Sequence, residues 1–134
     1  MPQRMLSTTP PPGCSYEVGD VRRLAWPSGS MDALVDKATL DTLLNGADEV
    51  EDAAAMLSEA ARVLRPDGVL LCITTGAPEE RLPLLLAPRA AGAAPCGSGA
   101  MTTNQAAAPC FALAQHAELR RGVHTFHVYV LRRM

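Results

Sequence analysis

Residues 48–75, DEVEDAAAMLSEAARVLRPDGVLLCITT, decide the fold. From about Asp48 to Leu64 the apolar residues Ala53, Met56, Leu57, Ala60, Val63 and Leu64 recur at three- and four-residue spacing, which predicts a helix with one buried stripe. Glu49, Glu51 and Asp52 load its first turns with negative charge, and Arg62 and Arg65 stand at its end. Both placements suit the helix dipole. Pro66-Asp67-Gly68 then forces a turn. Val69-Leu70-Leu71-Cys72-Ile73-Thr74-Thr75 is a continuous apolar run of strand length, the pattern of a strand covered on both faces.

Working outward, Ala33-Leu34-Val35 is a short apolar run between acids and reads as a buried strand. Placed before the helix, it completes a strand–helix–strand unit, the signature of a parallel βαβ crossover. Asp36 to Leu44 reads as a loop entering a helical turn that Asn45-Gly46 stops. Upstream, Ser15–Val18 is expected to be a short strand ended by Gly19-Asp20, followed by a loop through Trp26-Pro27-Ser28-Gly29-Ser30. Downstream, Glu79 to Leu86 reads as a short helix with Pro78 near its first turn, its length limited by Pro83. Phe111–Leu119 and His124–Arg132 are expected to form a hairpin around Arg120-Arg121-Gly122. Strand period 2 puts Phe126, Val128 and Val130 on one face and His127, Tyr129 and Leu131 on the other.

The domain organisation follows. Residues 1–14 are expected to be a disordered leader, and residues 15–134 one domain with a flexible insertion at about 87–109, rich in Ala, Gly, Pro, Ser and Thr. At 134 residues the chain suits a single domain. Its 48 % of hydrophobic residues is largely alanine and only 4 % is aromatic, so the core is thinner than the total suggests. A net charge of −2 gives no basic surface for nucleic acid, and no apolar run approaches the length of a membrane span. Cysteines 14, 72, 96 and 110 contain no CxxC pair, so neither a zinc site nor a disulfide framework is expected, and a reducing, cytoplasmic compartment fits best. His124 and His127, three apart in a strand, point to opposite faces and cannot share a metal. Gly97-Ser98-Gly99 follows no strand and opens no helix, so it reads as linker.

Three features stand in order along the chain: Gly19-Asp20 with Leu24 and Pro27 to Asp32; Leu34-Val35-Asp36-Lys37-Ala38-Thr39-Leu40-Asp41-Thr42-Leu43-Leu44; and Leu57-Ser58-Glu59 with Arg62 to Gly68. As a set they resemble class I S-adenosylmethionine-dependent methyltransferases of the methyltransferase domain 11 kind. The chain looks most like the subgroup containing the elongation-factor lysine methyltransferases, which carries a similar Asp-Lys-Gly-Thr-Leu-Asp signature. Here Ala38 stands in place of the usual glycine and Met31 in place of the usual aromatic. A glycine there would permit a backbone shape that a Cβ hinders.

The resemblance implies an α/β fold: a partial Rossmann-like sheet holding strands 3, 4, 5, 7 and 6 of the family, ended by the antiparallel hairpin. It implies S-adenosylmethionine as cofactor and a protein lysine as a candidate methyl acceptor. Asp20 would accept a hydrogen bond from the adenine amino group, and the Val21 amide would meet the ring. Asp36 would face the methionine part of the cofactor or the incoming amine. Asp36 and Lys37 are thus the candidate catalytic residues, and Asp20, Val21 and Asp36 the candidate cofactor-binding residues. Read without the resemblance, Asp20 closes a turn, Asp36 pairs with Lys37 on the surface, and Asp41 caps a helix.

The family's opening units, with the glycine-rich turn that holds the cofactor, find no counterpart before Ser15. The expectation is therefore the later half of the domain, with cofactor binding in doubt and strand 4 left as an open edge prone to self-association. A non-catalytic remnant acting as an interaction module is the alternative. A small α/β binding module of unrelated origin is a third.

Overall fold

The computed structural model describes residues 9–88 and 109–134. Its elements run β1 (Met31–Lys37), α1 (Thr39–Leu43), α2 (Glu49–Val63), β2 (Leu64–Thr74), α3 (Pro78–Leu85), β3 (Phe111–Arg121) and β4 (His124–Arg133). One four-stranded sheet has the order β1-β2-β4-β3. β1 and β2 are parallel and joined through α1 and α2, while β4 lies antiparallel to both β2 and β3. This is the partial α/β sheet with a terminal hairpin that the sequence implies.

α2 forms where the periodicity places it, with Ala53, Met56, Leu57, Ala60, Ala61 and Val63 buried along one stripe. The Pro66-Asp67-Gly68 turn is absorbed into the start of β2 as a bulge. Met31 pairs with Leu64 but Ala33 already pairs with Val69, so residues 65–68 loop out of the ladder. Asp67 turns the chain there at φ 63°. A Cβ on Gly68 would sit 2.8 Å from the Arg65 carbonyl oxygen, so the close turn needs glycine. In α3, Pro83 lies inside the helix, which still runs its eight residues.

Two expectations are corrected. Ser15–Val18 joins no ladder; the nearest bridge pairs Asp20 with Arg23. A strand needs a neighbour to satisfy its backbone groups, and the described residues offer none at that position. β2 is also not covered on both faces. Leu70, Cys72 and Thr74 are buried beneath the helices together with Tyr129 and Leu131. On the other face Leu71, Ile73, Val128 and Val130 are half-buried and Val35 is 69 % exposed. Among the described residues, the helices lie over one side only. The expected insertion at about 87–109 lies mostly outside the described residues, as do the first eight residues of the expected leader.

Candidate functional site

The strands β1 and β2 end at the same rim, and the residues beyond them close on each other. Asp36, 6 % exposed, starts this arrangement. Its carboxylate accepts the backbone N–H groups of Thr39 at 3.1 Å and Leu40 at 3.3 Å, and the Cys72 thiol donates to it at 3.7 Å. Two of the unpaired donors at the start of α1 are thereby satisfied by a residue in the strand before it. Between strand and helix stands Ala38 at φ 65°, a left-handed conformation that favours glycine. The position at which the resemblance leads one to expect glycine is thus one where the backbone favours it, although alanine adopts the conformation here.

One turn later Asp41 ties α1 to the rest of the rim. It receives the Thr74 hydroxyl, the Thr75 N–H at 3.1 Å and the Arg81 guanidinium at 3.0 Å. Arg81 also donates to the Thr74 hydroxyl oxygen at 3.1 Å, so α3 joins the same network. Both members of the Asp41–Arg81 ion pair are 16 % exposed. Burial opposes ionisation of Asp41, but the bonds from Thr74, Thr75 and Arg81 outweigh it and hold the carboxyl below its ordinary value. Burial first, and then the neighbouring Asp36, push the Cys72 thiol up to about 12, which leaves it unreactive. Tyr129, fully buried, donates its hydroxyl to the Gly76 carbonyl at 2.9 Å.

The facing wall is the loop from Asp20 to Ser30, and α2 holds it. Glu59 accepts the Leu24 N–H at 2.7 Å. Arg62 donates to the carbonyls of Leu24 and Trp26, both at 2.9 Å, and to Glu59 itself. The Gly29 N–H returns to the Arg62 carbonyl at 2.9 Å. This explains why Glu59 and Arg62 accompany the upstream residues in the motif: two side chains on one helix face fix a loop more than thirty residues away. Asp20 itself is exposed and closes a turn. Arg22 binds its carboxylate through both backbone and side chain, and those bonds bring the Asp20 carboxyl down to about 2.

Between the two walls lies an apolar cavity of about 220 Å³, lined by Val21, Leu24, Trp26, Leu34, Asp36 and Met56 among others. Of the residues singled out in the sequence, the structure brings Val21 and Asp36 together here. Asp20 and Lys37 are not part of this lining, and Asp36 forms no ion pair with Lys37. Among the described residues no group of three His, Cys, Asp or Glu side chains is arranged to hold a metal. Sequence reasoning missed the Asp41–Thr74–Arg81 network, the wall residues Trp26 and Met56, and a hydrogen bond between His116 and His127 on the hairpin. His124 and His127 do face apart: His127 is buried and His124 exposed.

A parallel βαβ unit, an antiparallel return strand and a cavity at the strand ends define an α/β domain of the kind whose ligand sites lie beyond the carboxyl ends of the strands. The family model described as a methyltransferase domain matches residues 3–72, more than half of the chain, and the chain belongs to that family. It is similar to the EEF1A lysine methyltransferase 4 of Bos taurus, 38 % identical over 78 residues that cover 52 % of this chain and 31 % of the relative. The Mus musculus protein of the same name is 35 % identical over 79 residues, covering 53 % of this chain and 31 % of the relative. The match therefore spans about a third of the length of these relatives. Among solved structures, a SAM-dependent methyltransferase from Methanosarcina mazei superposes with a TM-score of 0.55 at 12 % identity, over 88 % of this chain and 66 % of that one. That likeness concerns the fold. No described helix is long and apolar enough to cross a membrane.

Proposed function

We propose that this chain takes part in S-adenosylmethionine-dependent methyl transfer to a protein lysine, with the 220 Å³ cavity as the adenine end of the cofactor site. The observation that carries the reading is the meeting of Val21 and Asp36 in one apolar cavity at the strand ends of a methyltransferase-family chain. Its size and apolar lining suit a flat heteroaromatic ring between Trp26, Leu24 and Leu34. Bound there, the cofactor would supply an electrophilic methyl group on a sulfonium sulfur. The Val21 amide would meet the ring edge, and Asp20, just outside, would accept the exocyclic amine after exchanging one of its bonds to Arg22. Asp36 enters as the residue that fixes the rim, because its oxygens are already engaged by α1 and Cys72. Lys37, exposed at the end of β1, would meet an incoming substrate in this reading. The named relatives are lysine methyltransferases, which favours a protein substrate here. The thiols of Cys14 and Cys72 suit a reducing compartment such as the cytoplasm.

Calorimetric titration with S-adenosylmethionine and S-adenosylhomocysteine tests the reading. Saturable binding is expected, weakened at least tenfold by Leu34→Arg, which puts charge into the cavity. Absence of heat at millimolar cofactor would remove the cofactor role from this chain.

A second reading is favoured by β1, which among the described residues has β2 alone as a ladder partner and whose Val35 is exposed. In that reading the β1 edge pairs with another strand, and the chain acts as an interaction module. Light scattering on a size-exclusion column distinguishes the two: a concentration-dependent dimer supports pairing, and a monomer at high micromolar concentration opposes it.

A further inference from the structure

Asp20, Arg22 and Asp52 meet beside the apolar cavity. Val21, between the first two in the chain, lines the cavity, and so does Met56, one helical turn along α2 from Asp52. The Asp20 carboxylate has no acceptor site to spare. Its Oδ1 accepts the Arg22 backbone N–H at 2.9 Å and the Arg22 Nε at 3.0 Å. Its Oδ2 accepts the Arg22 Nη2 at 2.8 Å and shares Nε at 3.3 Å. A carboxylate offers about four lone-pair sites, and Arg22 alone occupies them. The remaining guanidinium nitrogen, Nη1, donates to Asp52 Oδ1 at 2.9 Å.

The two ends of this bridge differ. Asp20 is 49 % exposed and Asp52 24 %, so the Asp20 end is the one that a ligand reaches from solvent. Exposed ion pairs are weak, and the guanidinium can leave Asp20 at small cost. Asp52 gives it a second place, because among the described residues no side chain other than Arg22 bonds that carboxylate. The turn at Asp20 does not depend on the Arg22 side chain. The Arg23 N–H donates to the Asp20 carbonyl at 3.0 Å, and the Arg22 backbone N–H keeps its own bond to Oδ1.

We infer that Arg22 is an internal competitor for Asp20, displaced towards Asp52 by a purine that carries an exocyclic amine, and that this exchange sets the selectivity of the cavity among purines. The inference rests on the adenine reading of the cavity. An amine N–H needs one acceptor site on Asp20. It gains that site when Nη2 leaves Oδ2, and the guanidinium keeps a carboxylate partner by closing on Asp52. The exchange involves hydrogen bonds only, and no proton changes place. A purine without the amine makes no such demand, so the cost of moving Arg22 falls on aminopurines alone. Arg22 acts through Asp20 and is a positioning residue.

The test uses the full chain and two uncharged nucleosides, adenosine and purine riboside, which lacks the exocyclic amine. Binding is followed at the indole N–H resonance of Trp26, the single tryptophan and a wall of the cavity. Arg22→Ala is expected to tighten adenosine by about threefold to fivefold, the size of an exposed ion pair, and to leave purine riboside unchanged. Arg22→Lys, a point charge without the fork, should fall between the wild type and Arg22→Ala. Asp52→Asn removes the second place for the guanidinium and should weaken adenosine by about twofold to threefold. Salt gives a readout that a merely structural role would not move. Added sodium chloride should tighten adenosine relative to purine riboside in the wild type, by screening the Arg22–Asp20 pair, and should not do so in Arg22→Ala. Equal changes for the two nucleosides in Arg22→Ala, or no change for either, overturn the inference while wild-type binding still upholds the adenine reading. If neither nucleoside shifts Trp26 in the wild type or in Arg22→Ala, the adenine reading falls and the competitor with it.

Discussion

The two walls of the cavity are held in opposite ways. The rim is a largely buried network in which Asp41, Thr74 and Arg81 bind one another, while Asp36 beside them holds the backbone at the start of α1. The Asp20–Ser30 loop has no ladder with the sheet and is pinned by Glu59 and Arg62 from a single helix. The rim is therefore part of the core, and its failure is a folding failure. The loop can loosen while the fold survives, so its failure shows first in binding. Electrostatics follow the same division: the rim ion pair is shielded from water, whereas the Asp20–Arg22 pair on the loop is open to it.

The sharpest way to break this contrast is Asp41→Ala, which strands Arg81 among partly buried groups. A loss of about 3 kcal/mol is expected, read from urea unfolding. Arg62→Ala should cost about 2 kcal/mol by freeing the Leu24 and Trp26 carbonyls, and should weaken cofactor binding more than an equally destabilising change in α3. A loss confined to stability would erase the distinction between the walls. Acid should act mainly on the rim and on Glu59. Asp41 and Glu59 are held below their ordinary values of 3.8 and 4.5, so their contribution is complete above those values and is lost as pH falls through the folded ones. The urea midpoint of the wild type should fall below about pH 4.5, and the fall should be shallower in Asp41→Asn. Ala38→Gly, which relieves the left-handed alanine at the rim, should raise stability by about 1 kcal/mol. Arg22→Ala, on the exposed loop, should change stability by less than about 0.5 kcal/mol; a larger change would mean the loop is tied to the core after all.

Much of this was legible in the sequence, for reasons that can be stated residue by residue. α2 and β2 announce themselves because Ala53 to Leu64 follow a period near 3.6 and Val69 to Thr74 form an unbroken apolar run. The special backbone at Ala38 was legible because the family carries glycine there. Ser15–Val18 misled because strand propensity is local, whereas a strand exists only beside another. Asp41 and Arg81 are forty residues apart and meet only after β1, β2 and α3 converge, so no spacing rule brings them together. The histidine pair depends on the register of the hairpin. The expected strand bounds, with Leu119 opposite His124, set His116 directly across from His127. The turn observed at Gly122-Val123, with Arg121 opposite His124, puts it diagonal to His127.

The half-buried side of the sheet has a calorimetric consequence. Leu71, Ile73, Val128 and Val130 are only partly covered in the folded chain, so unfolding exposes less new apolar surface on that face than on the helix-covered one. Heat-capacity change and urea m-value both scale with newly exposed area. The heat-capacity increment should therefore lie toward the lower end of the usual range of about 12–15 cal/mol/K per residue, and the denaturant slope should be correspondingly modest. Any partner that settles on that face, whatever its identity, would steepen both.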